Sequence, residues 1–122
     1  MTTLKGTKTA SNLITSFAGE SQATMRYNIA AKIAKKEGYV QIQQIFEETA
    51  RNEQEHAKVF YKYLKEEFKL DAIELNPSYT AFPVVYHDTL TNLEGAIGGE
   101  NEEAEDMYPS FAKVAREEGF EE

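Results

Sequence analysis

The chain echoes itself. Thr9, Asn12, Leu13, Gly19 and Glu20 recur as Thr89, Asn92, Leu93, Gly99 and Glu100 at a constant offset of 80, while Tyr27 and Gly38 recur as Tyr108 and Gly119 at 81. Two segments that share apolar, small and acidic positions in this order take the same local structure. A fold built from them has a duplicated element. The change of offset places one extra residue between Glu100 and Tyr108, the interval that holds Glu103. An added residue inside a helix is most simply absorbed as a π-bulge, a feature often found at functional sites.

Hydrophobic spacing identifies the elements as helices. From Thr9 to about Lys36, Leu13, Phe17, Ala23, Tyr27, Ala30 and Ala34 recur at threes and fours, and Gly38 closes the run as a C-cap glycine does. This is helix A, about residues 9–37. Helix B, about 39–68, carries Ile42, Ile45, Phe46, Thr49, Glu53, His56, Phe60 and Leu64 along one side with no interior Gly or Pro. The stretch from Leu70 to His87 contains Pro77 and Pro83 and reads as a long crossover with a short extended piece, against which Tyr79, Phe82 and Tyr86 pack. Helix C, about 88–118, passes through Leu90, Leu93, Ile97, Glu100, Met107, Phe111 and Val114 to Gly119, with a kink expected at Pro109. A short A–B turn and a long B–C crossover are the layout of an all-α four-helix bundle with one crossover.

Acidic residues interrupt the apolar rows at regular places. Glu53 and His56, three apart, are neighbours on a helix and offer an oxygen and a nitrogen to one cation. The spacing alone arises by chance in Glu-rich helices; its register within the row of Ile42, Thr49 and Phe60 gives it weight. An inward carboxylate without a partner costs several kcal/mol or takes up a proton, so it implies a compensating cation. Glu20 lies three residues beyond Phe17, and Glu100 lies three beyond Ile97. Glu20, Glu53, His56 and Glu100 are therefore candidate ligands of a two-metal carboxylate site, with Glu103 turned inward by the bulge as a fifth. Tyr27 and Tyr108 follow candidate ligands by two turns and either hydrogen-bond a ligand carboxylate or simply pack the core. Glu47, Glu48, Glu55, Glu102, Glu105, Glu117 and Glu118 read as solvated faces or helix-end charge, and His87 beside Asp88 as a helix entry.

Composition narrows the chemistry. The 122 residues form one domain, 1–122, and carry a net charge of -8, which disfavours nucleic acid and anionic membranes as partners. The chain has no cysteine, which excludes disulfides, thiolate catalysis and Cys-ligated zinc or iron–sulfur centres within it. Its polar N-terminus from Met1 to Asn12 resembles no signal peptide, and the expected location is cytoplasmic. If C repeats A, a helix D repeating B would place a second Glu and His fifteen and eighteen residues beyond Gly119, yet the sequence stops at Glu122.

With these residues in place, the chain resembles the rubrerythrins, members of the ferritin-like di-iron superfamily. The resemblance rests on Leu4-Lys5-Gly6-Thr7-Lys8-Thr9, Phe17-Ala18-Gly19-Glu20-Ser21-Gln22-Ala23 and Ile45-Phe46-Glu47-Glu48-Thr49-Ala50. It continues in Glu53-x-x-His56-Ala57-Lys58, Gly99-Glu100-Asn101-Glu102-Glu103, Met107-Tyr108-Pro109 and Ala115-Arg116-Glu117-Glu118-Gly119-Phe120. The strings are short singly and specific together, and they span nearly the whole chain.

The resemblance implies a site that reduces hydrogen peroxide to water, cycling two irons between ferrous and ferric states in oxidative-stress protection. Glu20, Glu53, Glu100 and Glu103 are then carboxylate ligands, His56 a nitrogen ligand, and Tyr27 and Tyr108 their hydrogen-bonding neighbours. The family exchanges the carboxylate at the position of Glu103 for the histidine at the position of His56 on reduction of one iron. Carboxylate–imidazole sites also accept manganese or zinc. The family's fourth helix and C-terminal rubredoxin domain are absent from this sequence. The expected partners are accordingly a rubredoxin-like electron donor and a second chain or segment supplying helix D, in an oligomer that is swapped through the long crossover or completed by another chain. A less favoured arrangement pairs two A–B hairpins and leaves helix C unused. Ferroxidase or iron-handling activity, and a non-catalytic helical subunit with an incomplete site, are the alternative functions.

Overall fold

Thr7 starts the first helix by accepting a hydrogen bond from the Ala10 amide at 3.1 Å, the side-chain cap expected of threonine. In the computed structural model, which describes residues 3–79 and 81–120, this helix, α1, runs Lys8–Lys36. The expectations attached to Met1 and Glu122 lie outside the described residues. At the C-terminus Gly38 takes φ +85°, its N–H donating to the Lys35 carbonyl at 3.1 Å and that of Tyr39 to Ala34 at 2.9 Å. A residue with a Cβ would be strained in this left-handed turn. Gly119 ends the last helix in the same way, at φ +91°, with Phe120 N–H reaching Ala115 O at 2.8 Å. The sequence echo is an echo of caps as well as of faces.

Helix α2, Val40–Lys62, doubles back along α1 after the short turn, and these two form the most extensive helix pair in the structure. Ala23, Ala30 and Ala31 of α1 meet Phe46 and Ala50 of α2, with Tyr27 buried among them. Small residues on α1 let the aromatic rings fill the space between the backbones.

Helix B does not run unbroken to residue 68, as its periodicity predicts. It tightens at Tyr63 and Leu64, where Leu64 N–H bonds to Tyr61 O at 3.0 Å, and resumes as the short α3, Lys65–Phe68. The break buries Leu64 and Phe68 against Ala10 in a second small core. The crossover also differs from expectation. It holds one 3-10 turn, Pro77–Tyr79, and no strand among the described residues. Tyr79 packs edge-on against Phe111, whereas Tyr86 stays exposed and touches His87.

Helix C begins at Asp88, whose carboxylate accepts from Thr91 N–H at 3.0 Å, and continues as α4, Thr89–Glu102. A π-helical turn follows, Glu103–Met107, and then α5, Tyr108–Glu117. The π turn stands in the interval where the offset changes from 80 to 81, as the inserted residue requires. Pro109 falls in the first turn of α5, where its missing N–H is least costly.

Helices A and C are antiparallel and clasp each other's ends. Glu118 accepts from Lys8 N–H at 3.0 Å, Thr9 N–H at 2.7 Å and the Thr9 hydroxyl at 2.5 Å. Glu37 accepts from Thr89 N–H at 2.7 Å and from the Thr89 hydroxyl. Each acid closes one helix and caps the start of the other, so the echo is a pseudo-two-fold relation in space. The relation is incomplete at the surface. Phe17 is half-buried and stacks on Tyr61 of α2 with ring centroids 4.6 Å apart, but Ile97, its counterpart on helix C, is exposed, as is Leu90. Those two positions, and Ile45 on helix B, were expected on covered faces; among the described residues no element covers them.

Candidate metal centre

Glu20 enters the core from the middle of α1, one turn beyond the buried Ser16. It is 3% exposed, and Glu53, brought opposite by α2, is 5% exposed. Residues three apart on a helix share a face, so Glu53 carries His56 with it. One ligand atom from each of Glu20, Glu53 and His56 lies within 4.8 Å of the other two. His56 Nδ1 is 3.8 Å from Glu20 Oε1, and its ring is 58% exposed, so it forms the outer edge of the group.

The hydrogen-bond inventory at this point is unbalanced. Glu20 Oε1 accepts from the Tyr108 hydroxyl at 2.6 Å. Glu20 Oε2 and Glu53 Oε2 are buried with no hydrogen-bond partner. Buried carboxylate oxygens are normally satisfied, and leaving one bare costs on the order of 1–3 kcal/mol or more for a charged group. Two such oxygens beside an imidazole fit a hard or borderline cation: the donor set supplies negative charge, a nitrogen and free lone pairs, and lacks only the positive charge.

Glu100 and Glu103 approach from helix C. The Tyr27 hydroxyl donates to Glu100 Oε1 at 3.0 Å, the pseudo-symmetric counterpart of Tyr108 and Glu20. Glu100 is exposed and Glu103 half-buried, and neither belongs to the group formed by Glu20, Glu53 and His56. They share its electrostatics nonetheless. Burial, with the nearby charges of Glu100 and Glu20, pushes Glu103 up to about 7. Burial likewise raises Glu20, against the Tyr108 bond and His56, with Glu100 adding to the rise. Tyr27 and Tyr108 are held above the ordinary phenol range by burial and by the carboxylates they bond, so both remain donors. The pattern is a crowd of acids that repel one another and await a cation.

The π turn is what puts Glu103 here. Tyr108 N–H bonds back to Glu103 O across the widened turn, which rotates Glu103 relative to an uninterrupted α-helix and leaves Met107 buried beside it. Sequence reasoning did not single out Arg26 or Gln22. Both line a cavity of about 320 Å³ between α1, the crossover and helix C, together with Glu100 and Glu103. Nor did it assign the caps made by Glu37 and Glu118, although both acids keep the offset of 81.

The chain is similar to known proteins over nearly its whole length. Residues 11–122 match the Rubrerythrin family. The chain is 58% identical over 121 residues to a rubrerythrin of Clostridium perfringens, covering 98% of this chain and 60% of that protein. It is 50% identical over 123 residues to a rubrerythrin of Nitratidesulfovibrio vulgaris, covering 100% of this chain and 61% of that one. A solved structure described as the fully reduced, all-ferrous state of nigerythrin superposes with a TM-score of 0.78 at 33% identity, covering 97% of this chain and 58% of the other. The chain thus spans about three-fifths of the length of these relatives. Built of helices with no strand among the described residues and consistent with a ferritin-like bundle, the chain belongs to the rubrerythrin family.

Proposed function

We propose that this chain is the helical part of a non-haem di-iron peroxidase that reduces hydrogen peroxide to water in defence against oxidants. The observation that carries the reading is the pair of buried, unpartnered oxygens on Glu20 and Glu53 with His56 at ligand distance. Glu20, Glu53, Glu100, Glu103 and His56 are the residues that would hold the metals. When bound, two irons passing between ferrous and ferric states supply the two electrons that peroxide reduction consumes.

The remaining work belongs to the protein. Tyr108 and Tyr27 each aim a hydroxyl at one ligand carboxylate, which fixes its orientation and leaves its other oxygen for metal. Without metal, burial and the neighbouring acids push Glu103 up to about 7, and a cation bound beside it would favour its charged form. The core of Ala23, Tyr27, Ala30, Phe46 and Ala50 keeps bulk water from one side of the centre. With no cysteine among its 122 residues the chain itself offers no rubredoxin-type centre, so electrons come from a donor of that class outside these residues. A further helix bearing Glu and His, from another segment or chain, completes the ligand set.

The test is metal and turnover together. The protein, with any co-purifying partner, binds two irons per site and reduces peroxide with reduced rubredoxin as donor, and E53A and H56A lose both properties. Faster oxidation of the ferrous protein by dioxygen than by peroxide would make it a ferroxidase instead. Retention of metal in E53A and H56A would remove the site altogether.

A further inference from the structure

The pseudo-two-fold relation between helices A and C fails in charge beside the site. The extra residue of the π turn brings Glu103 to the site, a carboxylate with no counterpart on helix A. Arg26 immediately precedes Tyr27, whereas the residue that precedes Tyr108 is Met107, so helix A carries a cation with no counterpart on helix C. The unmatched acid and the unmatched base line the same cavity.

Arg26 is held for this position. Its Nε donates to Gln22 Oε1 at 2.6 Å, and Gln22 Nε2 donates in turn to the Gly19 carbonyl at 2.6 Å, so the guanidinium is tethered along one ridge of α1. Its Cζ lies 5.3 Å from the centroid of the Tyr27 ring, which supports the other face. Among the described residues it is the one cation lining the cavity, whose acids are Glu100, Glu102 and Glu103.

We propose that Arg26 is the fixed counter-charge to Glu103 and sets the reduction potential of the metal pair, favouring its reduced state. The inference rests on the reading that these carboxylates hold a redox-active pair. Oxidation adds positive charge to the centre. A tethered guanidinium in a partly buried wall opposes that addition through a medium that screens less than water. Removing the charge therefore makes the oxidised state easier to reach, which lowers the potential. Arg26 acts through this field and through Glu103, and is a positioning residue rather than a ligand.

Redox titration of the iron-loaded full-length protein, in its native oligomer and followed by absorption, tests this in wild type, R26Q and R26K. Iron content and helicity are measured on each sample. R26Q is expected to shift to a more negative midpoint with two irons still bound, and R26K to keep the wild-type midpoint. An unchanged midpoint in iron-replete R26Q overturns the inference and leaves the peroxidase reading intact. A shift in R26K as large as that in R26Q also overturns it, by showing that packing and not charge is sensed. Wild-type protein that binds no iron overturns both readings.

Discussion

Tyr108 donates its hydroxyl to Glu20 Oε1 at 2.6 Å across the gap between helices C and A, and so occupies one oxygen of a buried carboxylate while the other stays bare. The counterpart pair, Tyr27 and Glu100, repeats the bond at 3.0 Å in the opposite direction between the same helices. Two phenols thus orient two acids.

Replacing Tyr108 by Phe keeps the ring that stacks on Phe60 with centroids 5.9 Å apart and meets Phe111 edge-on at 6.3 Å. The fold of Y108F is expected to survive while metal affinity falls by roughly 10–100-fold, the usual cost of losing a residue that orients a ligand. Y27F is expected to lose less, since its bond is longer and Glu100 is exposed. Competitive metal titration, with thermal melts as the fold control, measures both.

The metal-free protein is expected to become less stable as pH rises from about 4.5 to about 7. Glu103 has its folded-state value raised from 4.5 to about 7, so in this window the folded protein keeps a proton that the unfolded chain has released. Stability falls with pH wherever the unfolded state binds fewer protons, and the deficit is complete above the folded value. Glu20, also raised, adds in the same direction. Urea unfolding between pH 4 and pH 8 (about the range in which carboxyls shifted this far titrate) is expected to show a shallower slope for E103Q. Metal loading is expected to abolish the loss, because it binds the charged form.

The reciprocal clasps are expected to contribute separately. E118A and E37A each remove the acceptor for a helix N-terminus, and each is expected to cost about 0.5–2 kcal/mol, the range for loss of a helix cap. The sites lie at opposite ends of the paired helices, so the double variant is expected to show the sum within about 0.5 kcal/mol. Burial pushes Glu118 up, but its bonds from Thr9 and Lys8 outweigh this and hold it below the ordinary value. Its contribution is therefore present above the unfolded value and fades as pH falls through the lowered one. Equilibrium denaturation of the four proteins at pH 7 and under acid conditions checks the sum and the sign.

Glu53→Gln separates stability from function. The substitution is nearly isosteric and replaces a buried carboxyl group whose second oxygen has no hydrogen-bond partner. Metal-free E53Q is expected to be more stable than wild type by about 1 kcal/mol or more at neutral pH, since burying an unpaired carboxylate is costly whether it stays charged or takes up a proton. It is expected to lose metal binding as well. A less stable metal-free E53Q would mean that Glu53 has a partner in solution that this arrangement does not provide.

Much of this architecture is legible in the sequence because it is local. Helix A follows from the spacing of Leu13, Ala23, Tyr27 and Ala30, its end from Gly38, the start of helix C from Asp88, and the π turn from the shift in offset between Glu100 and Tyr108. Glu20, Glu53 and His56 were identifiable because they interrupt apolar rows in register, and the fold brings them together. Tertiary structure alone decided the break at Leu64, which exists to bury that side chain and Phe68 on Ala10. It also decided the pairing of Glu118 with Thr9, the exposure of Ile45, Leu90 and Ile97, and the meeting of Arg26 with Glu103 in one cavity. Periodicity and caps are properties of neighbouring residues and the backbone between them. Which face is covered, and which charge meets which, depends on how segments far apart in the chain pack, and no single segment carries that information.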